Sequence, residues 1–246
     1  RLYQFPLGVV GIAMGVVLLP TLSGRLRSGD DAGASNVMSR ALEVSMALTL
    51  PAAAALATIP HFIVSGLYEN GAFTSHDGEM VSQALIAFAF GLPAFVLIKV
   101  LSPGFFARQD SFTPMLYAGV SVAINLVLGL ILFFGPLGFL GLAIATTVAG
   151  WVNAILLAVT LNRRGLLKPD ARLRYRLPRI VGAVLLMAAF LGLAGSQANW
   201  LVAHSFGIPL LALLLVCGTG AAVFGGSAML TGALKISELR DALKRP

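Results

Sequence analysis

Apolar residues fall in seven long stretches along the chain, at roughly 2–22, 41–67, 81–101, 112–134, 139–161, 177–195 and 206–230. Each is long enough to cross about 30 Å of hydrocarbon as an α-helix rising 1.5 Å per residue. The connections are short and rich in Gly, Pro, Ser and Asp, the residues that turns require. No strand-like alternation is sustained, which argues against a membrane β-barrel. The pattern predicts an all-α, polytopic membrane helical bundle of about seven spans.

Composition agrees with that pattern. Of 246 residues 58% are hydrophobic and only 11% charged, with a mean hydropathy of +0.90. Soluble domains carry about 25% charged residues, so this chain has too little polar surface to cover itself in water. The net charge of +7 would suggest nucleic acid in a soluble protein. In a membrane protein its placement along the chain comes first.

Fifteen of the 17 Lys and Arg residues fall on one side if the seven stretches alternate: Arg25, Arg27 and Arg40; Arg108; Arg163, Arg164, Lys168, Arg172, Arg174, Arg176 and Arg179; Lys235, Arg240, Lys244 and Arg245. The opposite connections, 68–80, 135–138 and 196–205, contain neither Lys nor Arg. Basic residues collect on the cytoplasmic side of a membrane. The C-terminus is therefore expected in the cytoplasm and the first stretch to start near the outer face. The basic stretch 163–179 reads as a cytoplasmic loop that sets topology and meets anionic lipid heads. Its only aromatic residue is Tyr175, so no nucleic-acid partner is expected. Residue 1 is Arg and the apolar pattern is already under way at Leu2, which reads as a fragment starting at or inside a helix.

Two basic residues lie outside the cytoplasmic connections, Arg1 and Lys99. Arg1 reads either as an anchor at the outer interface or as a cavity-facing guanidinium able to grip an anion with two parallel hydrogen bonds. Lys99 reads either as a side chain snorkelling to the cytoplasmic interface or as a second cation lining a polar cavity, since a charge within a span costs about 2.5–3.5 kcal/mol on insertion scales. Glu43 is expected to pair locally with Arg40, three residues away. Pro6, Pro51 and Pro93 lie inside the first three stretches and are expected to kink them. Asn125, Thr146, Thr147 and Asn153 are the polar groups of the fourth and fifth stretches. They read as inter-helix hydrogen-bonding groups, with a cation site as the sharper alternative. Cys217, the only cysteine, reads as a small buried hydrophobe. His61, His76 and His204 do not stand at metal-ligand spacing. No Gly-rich nucleotide loop or serine elbow occurs, so an enzyme is not expected.

The stretch Leu97-Ile-Lys-Val-Leu-Ser-Pro-Gly-Phe-Phe-Ala-Arg-Gln-Asp-Ser-Phe-Thr-Pro resembles the strongest signature of the MurJ (MviN) family of lipid II flippases. Arg1-Leu-Tyr-Gln-Phe-Pro-Leu-Gly-Val-Val-Gly-Ile-Ala, Val17-Leu-Leu-Pro-Thr-Leu-Ser and Tyr68-Glu-Asn-Gly-Ala-Phe-Thr match the same family in the same order. The resemblance is concentrated in about the first 115 residues; the later stretches agree in number and hydrophobicity.

That resemblance implies a member of the MOP flippase and exporter superfamily, a fourteen-helix architecture of which this chain matches the eighth helix onward. It implies a MOP/MATE-like C-terminal lobe of five spans at 1–162, the basic loop at 163–179, and two extra helices with a cytoplasmic tail at 180–246. The implied function is transport of undecaprenyl-pyrophosphate-linked lipid II between the leaflets of the bacterial inner membrane by alternating access, with no cofactor. The implied partners are lipid II, membrane lipids and an N-terminal lobe of the same protein. Arg1 and Lys99 match cationic positions of the family and are expected to meet substrate. Arg108 and Asp110 are expected to form a cytoplasmic gate or turn-stabilising pair. Asn125 and Thr147 are the candidates for a coupling sodium ion, although Gly129 stands where a carboxylate would help to bind it. A carrier of another polyprenyl-linked glycan is the alternative within transport, and a polyprenyl-phosphate membrane enzyme is the alternative outside it.

Overall fold

A computed structural model describes residues 2–68, 75–167, 171–204 and 209–232. These residues form eight helices: α1 Gln4–Arg27, α2 Asp31–Thr58, α3 Pro60–Tyr68, α4 Ser75–Phe106, α5 Phe112–Phe134, α6 Gly138–Arg163, α7 Ala171–His204 and α8 Pro209–Leu230. Among the described residues, six helices (α2 and α4 to α8) are long and apolar enough to span a membrane. α1 has 24 residues, about 36 Å at the α-helical rise.

The second apolar stretch is not one helix. It breaks at Ile59, whose backbone lies outside the helical region at φ −123° and ψ 44°. The cause is Pro60, which disfavours a helical residue before it and starts α3 as its first residue, where the missing N–H costs nothing. Pro6 also departs from the sequence expectation. It is the third residue of α1, within the first turn, where the N–H groups have no intrahelical acceptor anyway.

Turn chemistry explains the tight connections. Gly29 has a positive φ of 74°, and Asp30 follows it as the N-cap of α2, accepting a hydrogen bond from the Gly33 amide at 2.8 Å. Between α4 and α5 the chain turns through Gln109, at φ 59°. Asp110 then takes the Thr113 amide at 2.9 Å and the Thr113 hydroxyl at 2.7 Å, closing the first turn of α5.

α4 is the central helix and packs against α1, α2, α3 and α6. Of its most apolar window 61% is buried, against 6% for α5, which packs mainly on α6. Lipid supplies no hydrophobic drive between helices, so close approach and polar contacts hold them together. At the α4–α6 contact the Phe95 ring occupies the space a side chain on Gly150 would need. Two α6 side chains also reach the α4 backbone in the turns before Pro93. Thr147 donates to the Ala87 carbonyl at 2.7 Å and the Trp151 indole to the Phe90 carbonyl at 3.0 Å.

α7 and α8 pair with each other, and α7 packs along α2. α7 starts at Ala171, so residues 171–179 of the basic stretch are helical rather than loop. This adds two basic turns to the N-terminal end of α7. Cys217 is exposed on α8 rather than buried.

Candidate functional site

Lys99 lies on α4 and its side chain is exposed. Its aliphatic stem runs over α1: a Cβ built on Gly11 would stand 3.5 Å from the lysine Cγ, in van der Waals contact. An alanine at position 11 would fit against the stem. The α1–α4 surface therefore carries an ammonium flanked by apolar helix. Towards the other end of the same contact, Tyr3 of α1 stacks on Phe88 of α4, with ring centroids 4.6 Å apart and planes inclined by 15°. Leu2, Tyr3, Tyr68, Val81, Phe88 and Phe139 border a cavity of about 280 Å³ there. Phe88 and Lys99 are eleven residues apart, about 16 Å along the helix. Arg1 lies outside the described residues; Leu2 and Tyr3, its neighbours in sequence, line this aromatic end.

The face thus has an aromatic, apolar end and a cationic middle. In a low-dielectric surround, a lysine with its stem packed on a neighbouring helix offers a fixed positive charge to an anion.

The C-terminal end of α4 holds the second group of predicted residues. Arg164, at the end of α6, donates to Asp110 at 2.5 Å and to the Thr113 hydroxyl at 3.3 Å, and its guanidinium lies 5.3 Å over the Phe105 ring. Arg108 donates to the Arg164 carbonyl at 3.1 Å and stands 3.9 Å from the Asp31 carboxylate at the start of α2. Arg108 and Asp110 are thus joined through Arg164, tying the α1–α2, α4–α5 and α6–α7 connections into one cluster. The Thr113 hydroxyl first, then the Thr113 amide and Arg164, hold the Asp110 carboxyl well below the usual carboxylate range. Sequence reasoning placed Arg164 only in a basic run. A basic residue just past a helix C-terminus was the available signal.

Asn125 and Thr147 have separate partners. Asn125 of α5 accepts from Thr146 at 3.3 Å, whereas Thr147 turns to α4 and the Ala87 carbonyl. Asn125 completes a stripe on α5 with Tyr117, bonded to Thr160 at 2.8 Å, and Ser121, which donates to the Ala149 carbonyl at 2.8 Å. The four-residue spacing puts all three on the face towards α6, so the polar residues of an otherwise apolar helix are the ones that fasten it. No group of three or more His, Cys, Asp and Glu residues suited to a metal occurs among the described residues.

Glu43 differs most from its expectation. It is 7% exposed and pairs with α7 rather than with Arg40. Arg176 donates to Oε1 at 2.5 Å, and the Arg172 Nε stands 3.3 Å from Oε2. These partners stand about 130 residues away, beyond the reach of local pattern reading.

Comparison with known proteins gives a consistent result. A family model described as "Lipid II flippase MurJ" matches residues 1–211. A probable lipid II flippase MurJ of Rhizobium meliloti (strain 1021) is 46% identical over 250 residues, which cover 100% of this chain and 46% of that protein. A protein of the same description from Vibrio cholerae serotype O1 is 34% identical over 245 residues, covering 98% and 46%. The chain therefore spans about half the length of the curated relatives it matches. A solved structure titled "Lipid II flippase MurJ, inward closed conformation" shares the fold with a TM-score of 0.65 at 22% identity, over 92% of this chain and 46% of that one.

Proposed function

The chain belongs to the lipid II flippase MurJ family, and on that premise we propose that it supplies the C-terminal half of a carrier that moves lipid II from the inner to the outer leaflet. The observation that carries the reading is the α1–α4 face, where Lys99 is exposed with its stem laid over Gly11. That face meets an N-terminal lobe of the same protein, and the two enclose a cationic cavity. Arg1 and Lys99 receive the pyrophosphate there. Their charge offsets the loss of hydration that a multiply charged anion suffers on entering a membrane cavity. The lobes then rock to open the cavity to one leaflet and then the other, with no covalent chemistry. A membrane potential acting on a charged intermediate contributes about 2.3 kcal/mol per charge per 100 mV.

In this reading the C-terminus is cytoplasmic, as the basic connections require. The Arg108–Arg164–Asp110 cluster then stands at the cytoplasmic mouth and holds the ends of α4, α5 and α6 while the lobe moves as one body. Asn125 and Thr147 serve as helix-to-helix bonding groups.

The test uses the intact protein in cells depleted of their own flippase, with surface exposure of lipid II as the readout. Lys99→Ala and Arg1→Ala are each expected to lower exposure about tenfold, the scale of one charge-assisted contact, while membrane levels stay normal. Lys99→Arg is expected to retain most of it. Undiminished exposure in both alanine variants would remove the cationic cavity from the mechanism. Failure of the inserted parent protein to restore exposure would transfer the reading to another polyprenyl-linked glycan.

A further inference from the structure

Lys99 and the Arg108 cluster leave unexplained the most deeply buried charges described in the molecule. Glu43 and Arg176 are 7% and 5% exposed, and they bind α7 to α2 with Arg172 as a third member. Arg172 and Arg176 are four residues apart on α7 and so share one face. Arg176 donates to one oxygen of the carboxylate, and Arg172 faces the other at ion-pair distance.

Farther along the contact the chemistry becomes purely apolar. Ala47 of α2 packs with Ile180, Ala183 and Val184 of α7 and Ala228 of α8. Beyond them lies a groove of about 290 Å³, bordered by Leu48 and Pro51 of α2, Met187 and Leu191 of α7, and Cys217 and Phe224 of α8. This stretch offers no polar pair to fix rotation or register, and lipid does not drive apolar helices together. A carboxylate held by two guanidiniums does specify both, because sliding by one residue strands buried charge.

We propose that Glu43, Arg172 and Arg176 form a buried charge pin that fixes the register of the α7–α8 pair on α2 and so sets the width of the apolar groove. The three are positioning residues. They act on the groove from one end, with the small-residue contact as the fulcrum. The inference rests on the packing of α2, α7 and α8 and does not depend on what the protein carries.

Cys217 is the chain's only cysteine and stands on the α8 wall of the groove. Leu48, on the α2 wall, is 54% exposed. In the intact, membrane-embedded protein, Leu48→Cys paired with native Cys217 reports the groove width as the fraction bridged by a short bis-methanethiosulfonate. Glu43→Gln is expected to lower the bridged fraction about tenfold, since it removes the negative charge that the buried Arg176 and the partly exposed Arg172 face. The reversed pair Glu43→Arg with Arg176→Glu keeps one carboxylate among two guanidiniums, and is expected to return bridging to within about twofold of the parent. Parent-like bridging in Glu43→Gln overturns the proposal. If Glu43→Gln does not accumulate, the reversed pair decides: accumulation without recovered bridging overturns the proposal equally. Substitution of all three residues by Leu tests charge against packing, and parent-like bridging there shows that packing alone sets the register.

Discussion

Two ion clusters tie helix ends of this bundle together, and they use the same chemistry in different surroundings. In the Arg164–Asp110 pair the side chains are 37% and 22% exposed, and Asp31, which faces Arg108, is 76% exposed. In the Arg176–Glu43 pair the values are 6% and 9%. Both pairs have a 2.5 Å contact, so distance does not separate them. Solvent does. Where water reaches a charge, a lost partner is replaced by hydration and the pair contributes about 0–1 kcal/mol. Where water does not, the remaining charge stays unpaired. Neighbouring bonds widen the contrast: Asp110 keeps two bonds from Thr113 when Arg164 is removed, whereas the contact next to the Glu43 pair is apolar.

The largest effect should therefore follow from Arg176→Met. It removes the shorter of the two contacts to a buried carboxylate and is expected to cost about 3–5 kcal/mol in the docking of α7 and α8. Resistance of the detergent-solubilised protein to heat or to a denaturing detergent measures it. A loss below about 1 kcal/mol would place this pair in the surface class and erase the contrast.

An intermediate case comes from Arg164→Ala, which is expected to cost less than about 1 kcal/mol in global stability. Its effect should be local and salt-dependent. The parent's α4–α5 turn should approach the variant's behaviour as ionic strength rises, because exposed pairs are screened at about 10 Å in 0.1 M salt. Hydrogen exchange of the turn at two salt concentrations is the measurement. A salt-independent difference would mean that the cation–aromatic contact with Phe105, rather than the ion pair, is what the substitution removed.

This contrast also separates what the sequence made legible from what it did not. Hydropathy placed the fourth apolar stretch at 112–134, the bounds of α5 itself, because lipid demands long apolar helices with few exceptions. The same measure ran through Pro60, since a proline alters backbone geometry without altering hydrophobicity. It also read 163–179 as loop, because charge ends an apolar stretch but does not end a helix; α7 begins at Ala171 all the same. Asp110 could be read as a turn residue from the Asp-Ser-Phe-Thr order at the start of α5, a local signal. Glu43 could not be read this way. Arg40 was the nearest cation in sequence, yet the partners came from a helix about 130 residues on. Asn125 was legible as a helix-bonding residue, whereas Tyr117 and Ser121 beside it were not, and which of Thr146 and Thr147 faced Asn125 depended on the rotation of α6.

The smallest effect sharpens the contrast from the pH side. The Asp110 carboxyl is held below its ordinary value by Thr113 and Arg164. A depressed folded-state value stabilises the charged form, so its contribution is fully present above the unfolded value of about 3.9. It is lost only as pH falls from there through the lower folded value. Asp110→Asn should therefore lower protection of the Thr113 amide by a constant factor between about pH 5 and 8, once intrinsic exchange is corrected. Parent and variant should converge only in stronger acid, below about pH 4. A parent protection that already declines between pH 7 and 5 would show that another titrating group controls the turn. Such a decline would join Asp110 to the neighbouring charged groups rather than leaving it to close α5 alone.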